Sequence, residues 1–333
     1  MEGGGGGRGP GPALALRGAL MAASGGGRLL AARYKEPGDD SLFMYDCINA
    51  EKTTVGNKGQ GGQPADKGSD DILAFAFSSS GNYFALTDDN KHLILFHTKP
   101  SWECVSVRSV NRRCTALIIT AAEDKILVAD KSGDVYSYSI TEPQTEGKLE
   151  LGHLSLLLDV ALSPDDRYIL TADRDEKIRV SLAKAPHNIV SYCLGHKEFV
   201  SKIFVIPDYP DLLLSASGDC TVRLWEYRSG KEVYCCHLSS VSEPEATKTD
   251  QPVTDDKGLQ KMSKYLHDNW TVFEGFVGAE SHYSSLYKAS FDNMATYLQR
   301  KEERLQQQKK KRKDLQHGSN GQTKKIKTEE SSL

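Results

Sequence analysis

The chain has 333 residues, 38% of them hydrophobic, and its 42 Lys and Arg against 45 Asp and Glu give a formal net charge of −3. No apolar run approaches the roughly 20 residues that a helix needs to cross a bilayer, which excludes a membrane-spanning helix. The seven cysteines are scattered and include no Cys-x-x-Cys pair, so the sequence predicts reduced core thiols rather than a zinc site or a disulfide framework.

The N-terminus is dominated by glycine. Met-Glu is followed by five glycines, and a Gly- and Pro-rich composition continues to Gly27. Such a composition favours a disordered, Gly-rich tail over residues 1–27. The segment has too few charges and too short an apolar stretch for a signal peptide. The first strands are therefore expected at residues 29–32 and 42–45.

Residues 28–238 contain a repeat with a nearly constant step. Four strand-and-turn strings can be laid over one another at offsets of 42, 43 and 44 residues. Ser78 and Tyr83 likewise lie 85 residues before Ser163 and Tyr168. Within each copy, short apolar runs alternate with turns rich in Pro, Asp and Gly, and no helical period is present. The four copies end in the strings 86–96, 128–138, 171–181 and 215–225.

A unit of about 40 to 45 residues that begins near Gly-His and ends near Leu-Trp-Glu is typical of a WD-repeat blade. One four-stranded sheet cannot bury both of its faces, so blades must stack on neighbours. The sequence therefore predicts an all-β WD-repeat β-propeller with a C-terminal helix and a basic tail. Four copies and two preceding strands make five blades plausible and seven not, so the ring could be incomplete, with exposed edge strands.

The last copy contains the polar residues that close a WD blade. In such blades the turn Asp accepts from the His, the Ser links on, and the indole N–H completes the chain, so these residues are predicted to be structural. A Ser/His/Asp hydrolase triad is rejected, because no nucleophile-elbow sequence surrounds the serine. The third copy has His153, Thr171 and Asp175 but Ser181 in place of Trp. The residues of the last copy are His196, Ser215, Asp219 and Trp225.

The repeat stops after His237. Residues 239–265 have a disordered composition, residues 266–284 are expected to supply one residual blade strand, and residues 285–313 are predicted to form the C-terminal helix. Residues 314–333 complete a disordered basic tail. Between residues 300 and 327 there are 11 basic and 3 acidic residues, so the rest of the chain is acidic. Two clusters are typical of a nuclear import signal, although a solvating tail and an RNA-contacting arm remain alternatives. The clusters are Lys309, Lys310, Lys311, Arg312 and Lys313, and Lys324, Lys325 and Lys327.

Several strings resemble a particular family, the WD-repeat, non-catalytic subunits of tRNA (guanine-N7)-methyltransferases. The resemblance covers about residues 40–238 and 266–313, and its most specific part is Ala-Asp-Arg-Asp-Glu-Lys-Ile-Arg-Val at 172–180. It implies a seven-bladed propeller, here shortened by about two blades, that binds a Rossmann-like methyltransferase. That partner would carry S-adenosylmethionine and methylate a guanine in the tRNA variable loop. The other strings are 40–46, 83–88, 128–134, 151–154, 160–171 and 285–293.

The residues themselves also indicate a chain without catalytic chemistry. There is no Gly-x-Gly-x-x-Gly before a helix, no clustered set of metal ligands and no carboxylate pair outside turns. We therefore expect no catalytic residue, no metal and no cofactor in this chain, and a nuclear scaffold that holds and orients its partner. The alternatives are a generic WD-repeat adaptor, such as a ubiquitin-ligase receptor or a chromatin scaffold without an RNA role, and, third, a propeller hydrolase.

The partner is expected to dock on charged turns between the second and third strands of two blades. Charges of both signs alternate there, which suits specific ion pairs better than a phosphate track, although turn residues of a blade are usually only solvated. Asp175 would also be a structural member of its blade. The predicted partner-binding residues are Lys131, Arg174, Asp175, Glu176, Lys177 and Arg179.

Overall fold

The computed structural model describes residues 11–35, 42–50, 68–238, 256–276, 282–288, 298–304 and 306. Within these residues, twenty strands form five four-stranded antiparallel sheets, each built from four consecutive strands. We number the sheets 1 to 5 in chain order, so the four sequence copies are sheets 2 to 5. The sheets confirm the expected all-β, WD-repeat fold. The chain divides into two compact units, Met1–Tyr287 and Lys288–Leu333.

Each sheet is a simple meander. Sheet 1 contains β1 (Ala13–Arg17), β2 (Leu20–Gly25), β3 (Arg28–Arg33) and β4 (Leu42–Asp46); sheet 2 contains β5 (Ile72–Phe77), β6 (Tyr83–Asp88), β7 (His92–His97) and β8 (Glu103–Ser109). Sheet 3 contains β9 (Cys114–Ile119), β10 (Lys125–Asp130), β11 (Asp134–Ser139) and β12 (Lys148–Gly152); sheet 4 contains β13 (Leu157–Leu162), β14 (Tyr168–Asp173), β15 (Lys177–Leu182) and β16 (Ala185–Leu194). Sheet 5 contains β17 (Val200–Ile206), β18 (Tyr209–Ser217), β19 (Thr221–Glu226) and β20 (Lys231–His237).

The first hairpin corrects the predicted N-terminal tail. Strands β1 and β2 pair from Arg17 with Leu20 to Ala13 with Ser24, so the interpretation of residues 1–27 as disordered is wrong from residue 13 onward. Two alternating Ala- and Leu-rich runs are joined by a two-residue turn in which Gly18 has φ +58°, a conformation that glycine adopts at no steric cost. Met21 is fully buried.

The repeat offsets reappear in the backbone. In the turn before the third strand of sheets 2 to 5, the last turn residue is left-handed, at Lys91, Gly133, Glu176 and Cys220. These positions follow the same 42-, 43- and 44-residue steps as the sequence copies. In three of the turns the aspartate at the end of the second strand accepts from the amide four residues on, as Asp173 Oδ1 does from Lys177 N at 3.0 Å. The periodic Asp thus caps a periodic turn.

The sheets stack face to face in chain order. One apolar cluster fills each space between neighbouring sheets, and the space between sheets 4 and 5 is filled by Leu170 and Val180 of sheet 4 against Leu213 and Trp225 of sheet 5. The other spaces contain equivalent clusters between sheets 1 and 2, 2 and 3, and 3 and 4. Since each sheet has two apolar faces, burial of the second face depends on the neighbour.

Helix α1 (Lys257–Asp268) covers the outer face of sheet 1. Its apolar residues Met262, Tyr265 and Leu266 pack there beside the buried Val272 and Phe273. Their spacing is helical, and the Asp256 side chain caps the helix by accepting from two amides. The disordered spacer predicted over 239–265 is therefore wrong from residue 257 onward.

The segment that follows contains no strand in its described part. The residual blade strand predicted over 266–284 is replaced by the end of α1 and by short 3₁₀ turns at Trp270–Val272, Glu274–Phe276 and His282–Leu286. The last of these turns occupies the predicted start of the C-terminal helix at 285, and residues 298–304 are helical. The rest of the predicted helix and the tail beyond residue 306 lie outside the described residues.

Candidate functional site: the charged edge of sheet 4

The polar chain of sheet 5 has a defined direction. The Trp225 indole N–H donates to Ser215 Oγ at 2.8 Å, Ser215 lies 2.7 Å from His196 Nε2, and His196 Nδ1 lies 3.0 Å from Asp219 Oδ2. The Thr221 hydroxyl donates to the other oxygen of Asp219 at 2.6 Å. Because the indole can only donate and the carboxylate can only accept, Ser215 donates to a neutral His196, which donates to Asp219.

Burial and hydrogen bonding together set the protonation states of His196 and Asp219. It lowers the pKa of His196 below its usual value and so favours the neutral ring. Burial of Asp219 acts in the opposite direction on its carboxyl, but hydrogen bonds from Thr221, the Lys197 amide and His196 outweigh it and hold the pKa of Asp219 well below its usual range. A neutral imidazole therefore meets a charged carboxylate.

The hydrogen-bonded Ser215, His196 and Asp219 of sheet 5 do not form a hydrolytic site. Ser215 is 2% exposed, and its oxygen is used by both the indole and the imidazole, so no substrate carbonyl can approach it. Across the described residues, no group of three or more His, Cys, Asp or Glu side chains is placed to hold a metal ion.

Sheet 4 builds the same chain from different residues. His153 Nε2 lies 2.7 Å from Thr171 Oγ1, and His153 Nδ1 lies 3.1 Å from Asp173 Oδ2. The carboxylate is therefore Asp173, at the end of β14, and not Asp175 in the turn. The prediction placed the carboxylate at Asp175, the position equivalent to Asp219. In sheet 4 the carboxylate that accepts from the histidine is instead Asp173, the last residue of the second strand.

Arg179 also differs from its predicted role. It is 9% exposed, and its guanidinium donates to Ser181 Oγ at 2.9 Å, to Gly152 O at 3.0 Å and to Pro186 O at 2.8 Å. The prediction of an exposed partner contact at Arg179 is therefore wrong, because this side chain points into the sheet stack and satisfies carbonyl groups there.

The other predicted partner residues lie on one edge of the sheets. We call this edge the crossover edge; it is formed by the turns 89–91, 131–133, 174–176 and 218–220 and by the connections 110–113, 153–156 and 195–199. Lys131 and Lys177 are exposed there, and Arg174, Asp175 and Glu176 are half-buried. Lys177 Nζ donates to Asp175 O at 3.3 Å, which leaves two ammonium protons for other acceptors.

A C-terminal segment, residues 282–287, lies on the crossover edge beside this turn. Arg174 Nε donates to Leu286 O at 3.1 Å, and the Tyr287 hydroxyl donates to Gly218 O at 3.2 Å. The ring of Tyr283 stacks on Phe199, with centroids 5.8 Å apart, and Tyr287 meets the same ring edge-on at 5.1 Å. The segment thus fixes Arg174 through one nitrogen of its guanidinium. Sequence reasoning missed this contact, because it joins residues 112 positions apart.

Links between sheets at the opposite edge were also missed. Glu123 of sheet 3 accepts from the Ser80 amide of sheet 2 at 2.7 Å, and Asp166 of sheet 4 accepts from the Ala121 and Ala122 amides of sheet 3, both at 2.9 Å. Glu123 and Asp166 have φ of +56° and +53° and are 43 residues apart. The sequence signal that could have revealed these links is an acidic residue that recurs at the same position of the repeat.

Comparison with known proteins assigns the family. The model of the tRNA methyltransferase TRM82 WD40 domain matches residues 47–147 and 139–267. The chain is 48% identical to the tRNA (guanine-N(7)-)-methyltransferase non-catalytic subunit WDR4 of Bos taurus, over 86% of this chain and 89% of the relative. The proteins of the same name from Homo sapiens and Danio rerio are 47% and 42% identical, each over 86% of this chain, with 89% and 91% of the relative covered.

The alignment with the bovine protein runs over 368 positions, whereas 86% of this chain is about 286 residues. About 80 positions of that alignment therefore have no residue of this chain, a difference close to the length of two repeats. Among the described residues, no helix is both long and apolar enough to cross a membrane. The extent of the match and the level of identity assign the chain to the family of WD-repeat, non-catalytic subunits of tRNA (guanine-N7)-methyltransferases.

Proposed function

We propose that this chain is a scaffold that binds a catalytic methyltransferase subunit as a heterodimer and orients it for N7-methylation of a guanine in the variable loop of tRNA. In this proposal the partner binds S-adenosylmethionine and carries the chemistry, and this chain contributes no cofactor site. The proposal is supported by the relatives, which are non-catalytic subunits of tRNA (guanine-N(7)-)-methyltransferases, and by the burial of the Ser/His/Asp set of sheet 5, whose polar atoms all bond within the sheet.

The docking surface that we propose is the charged turn of sheet 4, with Lys131 of sheet 3 beside it. The observation that carries this choice is the fixed position of Arg174, whose Nε donates to Leu286 O, while Lys177 is exposed directly after the turn. A preorganised cation loses less conformational entropy on binding than a free side chain, so it favours a specific ion-pair contact.

Charge reversal tests the surface. Lys177→Glu and Arg174→Glu should each weaken binding of the purified methyltransferase by about tenfold or more, measured by titration calorimetry, because an ion pair then becomes a repulsion. The matched control is Lys184→Glu, an exposed lysine at the opposite edge of the same sheet, which should bind normally. Normal binding by the two crossover-edge variants would remove this surface from the proposal.

The basic tail is proposed to direct nuclear accumulation and to add salt-sensitive affinity for tRNA. Residues 300–327 carry an excess of eight positive charges, and each phosphate contact steepens the dependence of binding on salt. Deletion of residues 300–333 should abolish nuclear accumulation and reduce the slope of log affinity against log salt for the assembled complex. Partner binding should persist. A complex that dissociates on tail deletion would move the docking surface to the C-terminal helix predicted from Ser285 to residue 313, part of which the deletion removes.

A generic WD-repeat adaptor is the competing function. It predicts no loss of N7-methylguanosine from tRNA when the chain is depleted, whereas the proposal predicts a loss. Quantification of the modified nucleoside by mass spectrometry separates the two.

A further inference from the structure

Sheet 5 carries a row of apolar side chains across all four of its strands. Phe204 pairs with Leu214, Leu214 with Leu224, and Leu224 with Tyr234, so the four side chains stand side by side on one face. This is the face that points away from sheet 4, because the alternate residues Ile203, Leu213 and Trp225 are those packed against sheet 4. We call it the outer face of sheet 5.

The equivalent row of sheet 4 is buried. It runs through Ala161, Leu170, Val180 and Ser191, each 43 or 44 residues earlier, and the first three are 6%, 0% and 0% exposed beneath sheet 5. In sheet 5, by contrast, Phe204 is 54% and Tyr234 is 64% exposed, and the two leucines between them are half-buried. The repeat therefore builds a stacking face on sheet 5 that no described part of the chain covers.

The other end of the stack is different. On the outer face of sheet 1, the equivalent row runs through Leu14, Ala23, Leu30 and Met44. Its two central members are 3% and 0% exposed, because α1 and the residues around Val272 and Phe273 pack over them, whereas Leu14 and Met44 at its ends are 48% and 52% exposed. The fit is close, since a Cβ at Gly25 would lie 2.3 Å from Val272 O. Among the described sheets, sheet 5 is thus the one whose outer row has no buried member.

We propose that the outer face of sheet 5 binds the same face of a second copy of this chain, giving a two-fold symmetric dimer. The row carries no charge, so it is complementary to itself, and Lys202 next to it is already paired with Asp159 Oδ1 at 2.8 Å. Because α1 and the residues around Val272 and Phe273 cover the centre of the outer face of sheet 1, sheet 5 of one copy cannot stack flat on sheet 1 of another, and growth into a filament is blocked. Two sheets meeting face to face would pack about 10 Å apart, as in a β-sandwich.

The size of the face sets the strength of this contact. Four strands of about six residues present a surface of about 20 Å by 19 Å, or about 400 Å² per copy. The total of about 800 Å² is below the roughly 1,200 to 2,000 Å² of stable interfaces, so the dimer should be weak and concentration-dependent.

Sedimentation velocity of the full chain over about 1 to 100 µM tests the proposal in the concentration range expected for a weak contact. The weight-average sedimentation coefficient should rise from the monomer value towards the dimer value without passing it. Phe204→Glu and Tyr234→Glu should each remove the rise, since a charge would be buried in an apolar contact. Both residues are more than half exposed, so the variants should melt like the unmodified chain.

The matched controls are Leu149→Glu in sheet 3 and Met44→Glu at the rim of sheet 1, which are 53% and 52% exposed and should leave the rise unchanged. A chain that stays monomeric at the highest concentration would overturn the proposal. So would species larger than a dimer, or equal loss of the rise in the controls. Loss of methyltransferase binding by the two sheet 5 variants, with no self-association of the unmodified chain, would identify the enzyme as the occupant instead.

Discussion

Sheets 4 and 5 contain the same buried chain of an aspartate, a histidine and a hydroxyl residue, but they differ at the position of Trp225. In sheet 5 the indole of Trp225 donates to Ser215 and fills the space beside it. In sheet 4, Ser181 stands at the position equivalent to Trp225, and its hydroxyl accepts from the Arg179 guanidinium. The comparison shows that the repeat preserves a hydrogen-bonded His and its two neighbours, whereas the indole that donates to the hydroxyl in sheet 5 has no counterpart in sheet 4, where Ser181 bonds to Arg179 instead. A degenerate blade therefore still folds as a blade.

The largest expected difference in stability between variants of the two sheets is at the position of Trp225 and Ser181. Trp225→Ala should lower the free energy of unfolding by about 3 to 5 kcal/mol, because it removes a fully buried indole and leaves a cavity. Ser181→Ala should cost much less, since Arg179 keeps two carbonyl acceptors. Chemical denaturation of both variants measures the contrast. Equal losses of unfolding free energy would show that sheet 4 depends on Ser181 as strongly as sheet 5 depends on Trp225.

The identity of the sheet 4 carboxylate gives a second contrast. Asp173→Ala should destabilise the chain by about 1 to 3 kcal/mol, because it leaves His153 Nδ1 and the Lys177 amide without their acceptor in a buried site. Asp175→Ala, two residues away, is the matched control and should cost less, because the carboxylate that accepts from His153 is Asp173. Thermal unfolding measures both variants. The reverse order would restore the interpretation based on alignment with Asp219.

The pH dependence of sheet 5 gives the smallest effect. The pKa of His196 is lowered in the folded chain, so below about pH 6.5 the unfolded chain binds the proton more readily. Stability from this group is therefore present above that pH and is lost as the pH falls. Between pH 7.5 and 5.5, His196→Asn should lose less free energy of unfolding than the unmodified chain. The Asp219 carboxylate adds no pH dependence in this range, since the stability that its lowered pKa gives is fully present there and is lost only as the pH falls below about 4.

Much of the fold could be predicted from periodicity alone. The 42-, 43- and 44-residue steps correspond to equivalent turns, so the four copies and their turn positions follow from the sequence. The first hairpin could not be predicted in this way, because its glycines obscured the pattern of residues 13–25, in which Gly18 is a turn residue. Helix α1 was missed for a related reason: its apolar spacing directly follows a polar stretch with a disordered composition.

The candidate site was less predictable, because its geometry depends on contacts between distant parts of the chain. The alternation of charges around Arg174 was visible in the sequence, but its hydrogen bond to Leu286 O was not. Arg179 was assigned to the surface because it follows a charged turn, yet three residues beyond that turn it already lies inside β15. Burial of an arginine among backbone carbonyls has no periodic signature.

The central claim is that this chain orients an enzyme and performs no chemistry itself. The most direct measurement is the initial rate of methyl transfer from S-adenosylmethionine to N7 of guanine in tRNA, for the catalytic subunit alone, for this chain alone and for the two together. The account predicts no transfer and no saturable S-adenosylmethionine binding by this chain alone, and a faster rate for the pair than for the catalytic subunit. An unchanged rate in the pair, or cofactor binding by this chain alone, would contradict it.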